Sequence, residues 1–205
     1  MAIRTANRIS GSLYSVHPAY ERETSSLRLL KDRTGKDLTE WVEIGNRYGP
    51  ENERELEQWF KTEHGHSPNY ASWLASHVTG NGGVENYRPD ELVDKMFDGK
   101  KAPLRPIYEE ILRFGLALGD DVMVCPCATI VPFFRTVVFA QLKPTTLTRI
   151  DLGFALDKEP FTDRLLDTGG LAKKDRITHR IPISTIEEFD EEAKTWFRLA
   201  YERGR

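Results

Sequence analysis

The residues best suited to chemistry lie between Lys143 and Arg180, and their types are those that hold anions. Lys-Pro-Thr-Thr from Lys143 and Asp-Thr-Gly-Gly-Leu-Ala-Lys-Lys-Asp-Arg from Asp167 flank a run reading Thr-Arg-Ile-Asp-Leu-Gly-Phe-Ala-Leu. Guanidinium forks, ammonium groups, hydroxyl donors and backbone N–H groups exposed by glycine all hydrogen-bond to anionic oxygens. This segment predicts an anion-binding site. No complete catalytic signature accompanies it.

The alternation of apolar and polar residues along two predicted strands places the site residues on one face of the sheet. In the strand from Leu147 to Leu156, residues 150, 152, 154 and 156 are apolar, which leaves Arg149, Asp151 and Gly153 on the opposite side. In the strand from Arg176 to Ile183, the apolar face is predicted to hold Ile177, His179, Ile181 and Ile183. The opposite face then holds Arg176, Thr178 and Arg180. If helices cover the apolar side, the other side is a solvated, basic sheet face.

The sequence allows two interpretations of the basic residues. The arginines could bind an anion, or they could form ordinary cross-strand ion pairs with Asp151 or Asp175. The glycine loop after Asp167 could cradle a phosphate, although it lacks a P-loop pattern, or it could be a plain turn with exposed lysines. The predicted ligand-binding residues are Lys143, Thr145, Arg149, Asp151, Gly169, Gly170, Lys173, Lys174, Arg176 and Arg180.

A rival chemistry rests on Cys125-Pro-Cys127, which could bind a metal or act through its thiols, with His179 as a further ligand. The spacing is poor for zinc and strained for a disulfide, so structural cysteines are favoured. No Ser-His-Asp, Cys-His or paired-carboxylate pattern can be placed. We therefore expect a binding protein rather than an enzyme, with no cofactor.

The helical half offers a second metal-like group, Glu63, His64 and His66, for which capping of a helix end is the favoured interpretation. Its aromatic residues are predicted to be mostly core by their helical spacing. An excess of them on the surface would instead indicate a protein-interaction module, and the helical domain would then dock a protein partner.

The elements that must position these residues form two modules. We predict an extended arm over residues 1–22, a helical domain over 23–80, a linker over 81–89 and an α+β domain over 90–205. The strands of the second module are joined by short connections, which imply antiparallel pairing. Ser184-Thr-Ile-Glu187 reads as a capping box that starts a long final helix. The fold class is α+β, with helices packed on one face of an antiparallel sheet.

Composition limits the possible functions. The 205-residue chain has a formal net charge of -3, which argues against indiscriminate binding to nucleic acid and makes any polyanion site local. No apolar stretch is long enough to cross a membrane, and the N-terminus lacks a secretory apolar region. Together with the low cysteine content, this predicts a cytoplasmic protein with no membrane partner.

Several motifs resemble known families. Lys31-Asp-Arg-Thr-Gly-Lys-Asp-Leu-Thr-Glu-Trp41 and Trp59-Phe-Lys-Thr-Glu-His-Gly-His66 resemble the bacterial family called domain of unknown function 4287. Ile130-Val-Pro, Phe139-Ala-Gln-Leu-Lys-Pro-Thr-Thr, Thr148-Arg-Ile-Asp-Leu-Gly and Thr178-His-Arg resemble domain of unknown function 5655. Neither resemblance implies an activity or catalytic residues. The element order is also similar to frataxin-like and double-wing DNA-binding folds, and relatives occur fused to predicted nucleases.

The function predicted from these residues is binding of a phosphate-bearing ligand, with nucleic acid first, on the basic sheet face. The alternatives are a metal- or thiol-dependent enzyme that uses the Cys-Pro-Cys segment, and a regulatory protein-interaction module.

Overall fold

The computed structural model describes residues 8–205, so the first seven residues of the predicted arm lie outside the described part. The chain divides into two units. One is Val16–Arg88, and the other is Pro89–Arg205 with the segment that ends at Ser15. From residue 8, that segment makes a tight turn in which Arg8 bridges Ser15, and the Ser15 N–H donates to the Val124 carbonyl at 2.8 Å. This differs from the extended arm predicted over residues 1–22.

The Val16–Arg88 unit is built from helices. They are α1 (Ala19–Leu27), α2 (Leu30–Thr34), α3 (Leu38–Tyr48), α4 (Glu53–His64) and α5 (Pro68–Val78), followed by a 3-10 turn at Val84–Asn86. A capping box between Asp37 and Glu40 starts α3, and the Asn52 side chain caps α4. These residues satisfy N–H groups that the first helical turn leaves without partners. The unit has a core of its own, centred on Leu30, Leu56, Phe60 and Leu74.

The second unit combines helices with an antiparallel sheet. Its elements are α6 (Pro89–Met96), a 3-10 helix (Gly99–Leu104), α7 (Arg105–Leu116), β1 (Met123–Val124), β2 (Val131–Phe134), β3 (Val138–Lys143), β4 (Ile150–Phe154), β5 (Leu166–Asp167), α8 (Gly170–Lys173), β6 (His179–Ile183) and α9 (Glu191–Arg203). The described sheet has six strands in the order β1-β2-β3-β4-β6-β5. The predicted α+β class, with a helical region before an antiparallel sheet, is confirmed.

Helices cover the apolar face of this sheet. The Phe197 ring of α9 lies 5.2 Å from Phe133, 5.9 Å from Phe139 and 5.8 Å from Phe154, measured between ring centroids. Gly115 of α7 lets that helix approach closely, because a Cβ there would stand 2.5 Å from the Phe133 ring. The packing leaves the opposite face of the strands for polar side chains.

A partly buried ion pair ties the end of α9 to the sheet. The Arg135 guanidinium donates to Asp121 at 2.8 Å and to the Tyr201 carbonyl at 3.0 Å, and it lies 4.0 Å from the centroid of the Tyr201 ring. The Tyr201 hydroxyl donates to Asp121 at 2.9 Å. Burial alone would raise the pKa of Asp121, but the hydrogen bonds from Arg135 and Tyr201 outweigh it and lower the pKa below its usual value.

The predicted start of the last helix is wrong. The helix begins at Glu191, where the Asp190 carboxylate accepts from the N–H groups of Glu192 and Ala193, each at 3.1 Å. Asp190 satisfies two N–H groups at once, so it caps the helix in place of Ser184. Ile186, which a helix starting at Ser184 would include, is exposed.

Across residues 8–205, no helix combines the length and the apolar character that a membrane crossing requires.

Candidate anion-binding surface

The predicted strand alternation holds in β4 and sets the geometry of the candidate site. Ile150, Leu152 and Phe154 are fully buried, and Asp151 lies on the other face. In the sheet register Asp151 is opposite Lys143 of β3 on one side and Pro182 of β6 on the other. Asp151 therefore lies between β3 and β6 on the polar face, level with the last residue of β3.

Three predicted site residues converge on the Asp151 carboxylate. Nε of Arg149 lies 3.0 Å from Oδ1, and Nη1 of Arg180 donates to the same oxygen at 3.2 Å. The Thr145 hydroxyl donates to Oδ2 at 2.8 Å. We call Arg149 and Arg180, joined through Asp151, the arginine pair.

The arginine pair is already partly neutralised. Two guanidinium groups share one carboxylate, which leaves a net charge of +1, and the Asp151 side chain is only 13% exposed. A half-buried ion pair with several donors contributes to the stability of the sheet. The cross-strand pairing that the sequence left open is therefore present, and an anion would have to compete with Asp151 for these guanidinium groups.

A cleft of about 600 Å³ begins beside this pair, where β3 ends. Four lysines line it: Lys95 from the last turn of α6, Lys100 and Lys101 from the following 3-10 helix, and Lys143 from β3. We call this the lysine cleft. Thr145 also lines it, so its hydroxyl links the cleft to the arginine pair.

The lysines of the cleft have few partners. Within residues 8–205, none of the four ammonium groups lies within 4.0 Å of a carboxylate, and only Lys101 donates a hydrogen bond, to the Pro144 carbonyl at 2.7 Å. Asp98 is the one described carboxylate in the lining, and it accepts from the Gly99 N–H at 2.6 Å. The lining therefore carries four positive charges and one negative charge.

The sequence alone predicts only the cleft residues that lie on β3 or just after it. Lys143 and Thr145 were predicted as ligand-binding residues, whereas Lys95, Lys100 and Lys101 were missed because their segment reads as packing helices. The adjacent Lys100-Lys101 pair, directly after Asp98-Gly99, was the available signal. Its proximity to Lys143 depends on packing between segments more than 40 residues apart, which a local pattern does not reveal.

The glycine loop after Asp167 is a turn with exposed lysines, which is the second of the two interpretations that its sequence allows. Gly169 has a φ of +73°, its N–H donates to Asp167 at 2.6 Å, and the Gly170 N–H donates to Thr168 at 3.1 Å. These N–H groups are thus engaged within the loop. Lys173 and Lys174 are exposed, on and after the four-residue helix α8.

Arg176 and the arginine pair do not form one group. The Arg176 side chain approaches the Val138 carbonyl at 3.4 Å, at the first residue of β3, whereas Lys143 is the last. Five residues of strand span about 17 Å. The ten predicted residues therefore divide between the two ends of the strand.

Two residues before β6 depart from the predicted alternation. Ile177 was assigned to the core face, but its side chain lies over Gly153 on the polar face, where an added Cβ would stand 2.6 Å from it. The missing side chain of Gly153 leaves that space. Thr178 was assigned to the solvated face but is buried, and its hydroxyl lies 2.7 Å from His179 Nδ1.

The structure does not bring the rival metal or thiol residues together. Cys125 follows β1 at one side of the sheet, and His179 is in β6, four strand positions away, or about 19 Å. His179 is fully buried, and its Nε2 is 2.9 Å from the Glu159 carbonyl. Among the described residues no group of three or more potential metal ligands occurs.

The cysteine environment also disfavours thiolate chemistry. Burial, with a smaller contribution from Cys127, raises the pKa of Cys125 to about 12, and burial also raises the pKa of Cys127. Since the thiolate is the reactive form, both groups are poorly reactive at neutral pH.

The aromatic residues of the helical unit are mainly structural. Trp41 is buried, and Trp59 and Trp73 pack against the same core. His66 is buried edge-on against Trp41, with 4.5 Å between the ring centroids. Burial and the neighbouring His64 lower its pKa, which favours the neutral ring. These contacts agree with the core interpretation.

Comparison with known families supports the two resemblances. The model of a family described as a domain of unknown function (DUF5655) matches residues 93–204, which is more than half of the chain. A second domain of unknown function (DUF4287) matches residues 24–80. No curated protein and no solved structure matches the chain. Neither family description names a ligand or a reaction.

Proposed function

This chain belongs to the DUF5655 family, and since that description names no activity, we propose from its own residues that it binds a phosphate-bearing ligand, nucleic acid first. The observation that carries the proposal is the set of lysine ammonium groups without carboxylate partners around one cleft. Clefts lined by one sign of charge concentrate the electric field and attract ions of the opposite sign.

Each part of the surface has a role in this proposal. Lys95, Lys100 and Lys143 supply positive charge that a phosphate neutralises, and Lys101 is oriented by its hydrogen bond to Pro144. The arginine pair adds a net positive charge next to the cleft, which extends the surface for a longer ligand. Contacts of this kind to phosphates give affinity and register without reading sequence.

Binding is preferred to catalysis because the titratable groups of the surface are arranged as ion pairs and exposed ammonium groups. Asp151 is occupied by two arginines and a hydroxyl, so it is poorly placed to act as a general base. We also propose a bacterial source, from the family resemblance, and a cytoplasmic setting. The latter is in keeping with the low cysteine content of the chain, two in 205 residues.

The test is binding of labelled single- and double-stranded DNA and RNA, followed by fluorescence anisotropy across a salt series. We expect affinity to fall as salt rises. A Lys95→Gln/Lys143→Gln variant should bind more weakly, with a log-log salt slope reduced by about one for each lysine removed.

The matched control is Lys173→Gln/Lys174→Gln, which removes the same charge from the same unit at the glycine loop. It should retain most of the affinity and the original slope. Loss of binding in this control but not in the cleft variant would move the site to the loop. No binding of any of these nucleic acids at low salt would overturn nucleic acid as the ligand and leave smaller phosphate-bearing ligands.

A further inference from the structure

The lysine cleft carries more unpaired charge than a nucleic-acid backbone can neutralise at one position. Four lysines and one aspartate give its lining a net charge of +3. One phosphodiester of a strand carries a single negative charge, whereas adjacent phosphates in a di- or triphosphate concentrate several charges in a small volume. Like charges gathered in one cleft repel one another, and a multiply charged anion relieves that repulsion.

Part of the lining is apolar. Leu92, Met96, Ala128 and Leu147 face the cleft beside the lysines, and Leu147 is 50% exposed. Small-molecule sites typically have volumes of about 300–1,000 Å³, with apolar walls and a few polar groups that set orientation. A volume of about 600 Å³ is therefore large enough for a group of nucleoside size together with its phosphates.

Polar and apolar side chains line the same cleft, so one ligand can contact both. Thr129 lines the cleft and offers a hydroxyl, and Lys101 is held at one wall by the Pro144 carbonyl. An anionic group on the lysines would leave the apolar side chains to contact a sugar or base. Inorganic phosphate would leave those side chains without a partner.

We propose that the lysine cleft binds a nucleoside that carries two or more adjacent phosphates. The source is either a free nucleotide or the 5′ end of a strand whose backbone continues over the arginine pair. This inference rests on the proposed function and deepens it, because it assigns the ligand chemistry of the cleft itself.

The experiment compares one RNA 12-mer sequence with a 5′-hydroxyl, a 5′-monophosphate or a 5′-triphosphate, together with a free nucleoside triphosphate and inorganic triphosphate. Binding to the 205-residue chain is measured without divalent cations, so that the charge of each probe is known. The 5′-triphosphate strand should bind at least about tenfold more tightly than the 5′-hydroxyl strand. Free nucleoside triphosphate that binds as tightly as this strand also supports the inference and identifies the free nucleotide as the source.

A Lys100→Gln/Lys143→Gln variant should abolish the difference among the three strands, and Lys158→Gln, at an exposed position outside the cleft, should preserve it. Equal affinity of the three strands for the native protein would overturn the inference and leave the proposed function standing. Inorganic triphosphate that binds as tightly as the nucleotide would also overturn it, since the apolar side chains would then contribute nothing. Failure of all the strands and of the free nucleotide to bind at low salt would count against the proposed function itself.

Discussion

The arginine pair and the lysine cleft both carry positively charged side chains and meet at the end of β3, yet only the arginines have carboxylate partners. Arg149 and Arg180 share the Asp151 carboxylate, whereas the cleft lysines have no carboxylate within 4.0 Å in the described part of the chain. Partnered charges hold strands in register, and unpartnered charges remain available to a ligand. The position of a charged residue on the basic sheet face therefore does not by itself show whether its charge holds the strands in register or is available to a ligand.

This difference has opposite consequences for stability. A half-buried guanidinium with fixed partners stabilises the fold, and its removal leaves a carboxylate without a counter-charge. An exposed ammonium among other ammonium groups adds repulsion and few contacts. Substitution should therefore separate the charges that serve folding from those that serve binding.

The largest effect is expected from a side chain that serves folding alone. Arg135→Met should lower the free energy of unfolding by about 2 kcal/mol, because the partly buried Asp121 carboxylate would keep its charge and lose its guanidinium partner. Lys143→Met keeps a similar stem in the cleft and should change stability by less than about 0.5 kcal/mol. Urea denaturation at pH 7 measures both. A Lys143 variant as unstable as the Arg135 variant would show that the cleft charges also hold the fold.

Substitution of Asp151 is expected to have a smaller effect on stability and an opposite effect on binding affinity. Asp151→Asn keeps the side-chain volume but removes the charge shared by Arg149 and Arg180, so stability should fall by about 1 kcal/mol. The same change releases two guanidinium groups, and affinity for a labelled oligonucleotide should rise several-fold. Asp163→Asn makes the same charge change at an exposed position and serves as the control. Reduced affinity in the Asp151 variant would mean that the pair must stay assembled to bind.

Much of the fold can be predicted because it depends on local patterns. Alternation in β4 correctly gives Ile150, Leu152 and Phe154 to the core and Asp151 to the opposite face. Short connections correctly indicate an antiparallel sheet. These inferences succeed because strand period and loop length act within a few residues.

The remaining features depend on contacts between distant segments. Ile177 occupies the space above Gly153, which breaks the expected alternation, and the choice between Ser184 and Asp190 as the helix cap depends on how the preceding turn folds. The lysine cleft joins Lys95 to Lys143 across elements whose packing no local pattern specifies. Sequence can thus identify charged residues, but whether each charge has a partner is decided by the tertiary structure.

The smallest effect concerns acid stability and extends the comparison to Asp121. Because Arg135 and Tyr201 lower the pKa of Asp121 in the folded state, its contribution to stability is present above the unfolded pKa of about 3.9 and is lost as pH falls through the folded pKa. One carboxylate can contribute at most about 1.36 kcal/mol per pH unit to this slope. Urea midpoints of the native protein and Asp121→Asn between pH 6 and pH 2 should therefore converge on acidification. Parallel curves would mean that the charge of Asp121 contributes nothing, so that partnered charges in this protein do not serve folding as proposed.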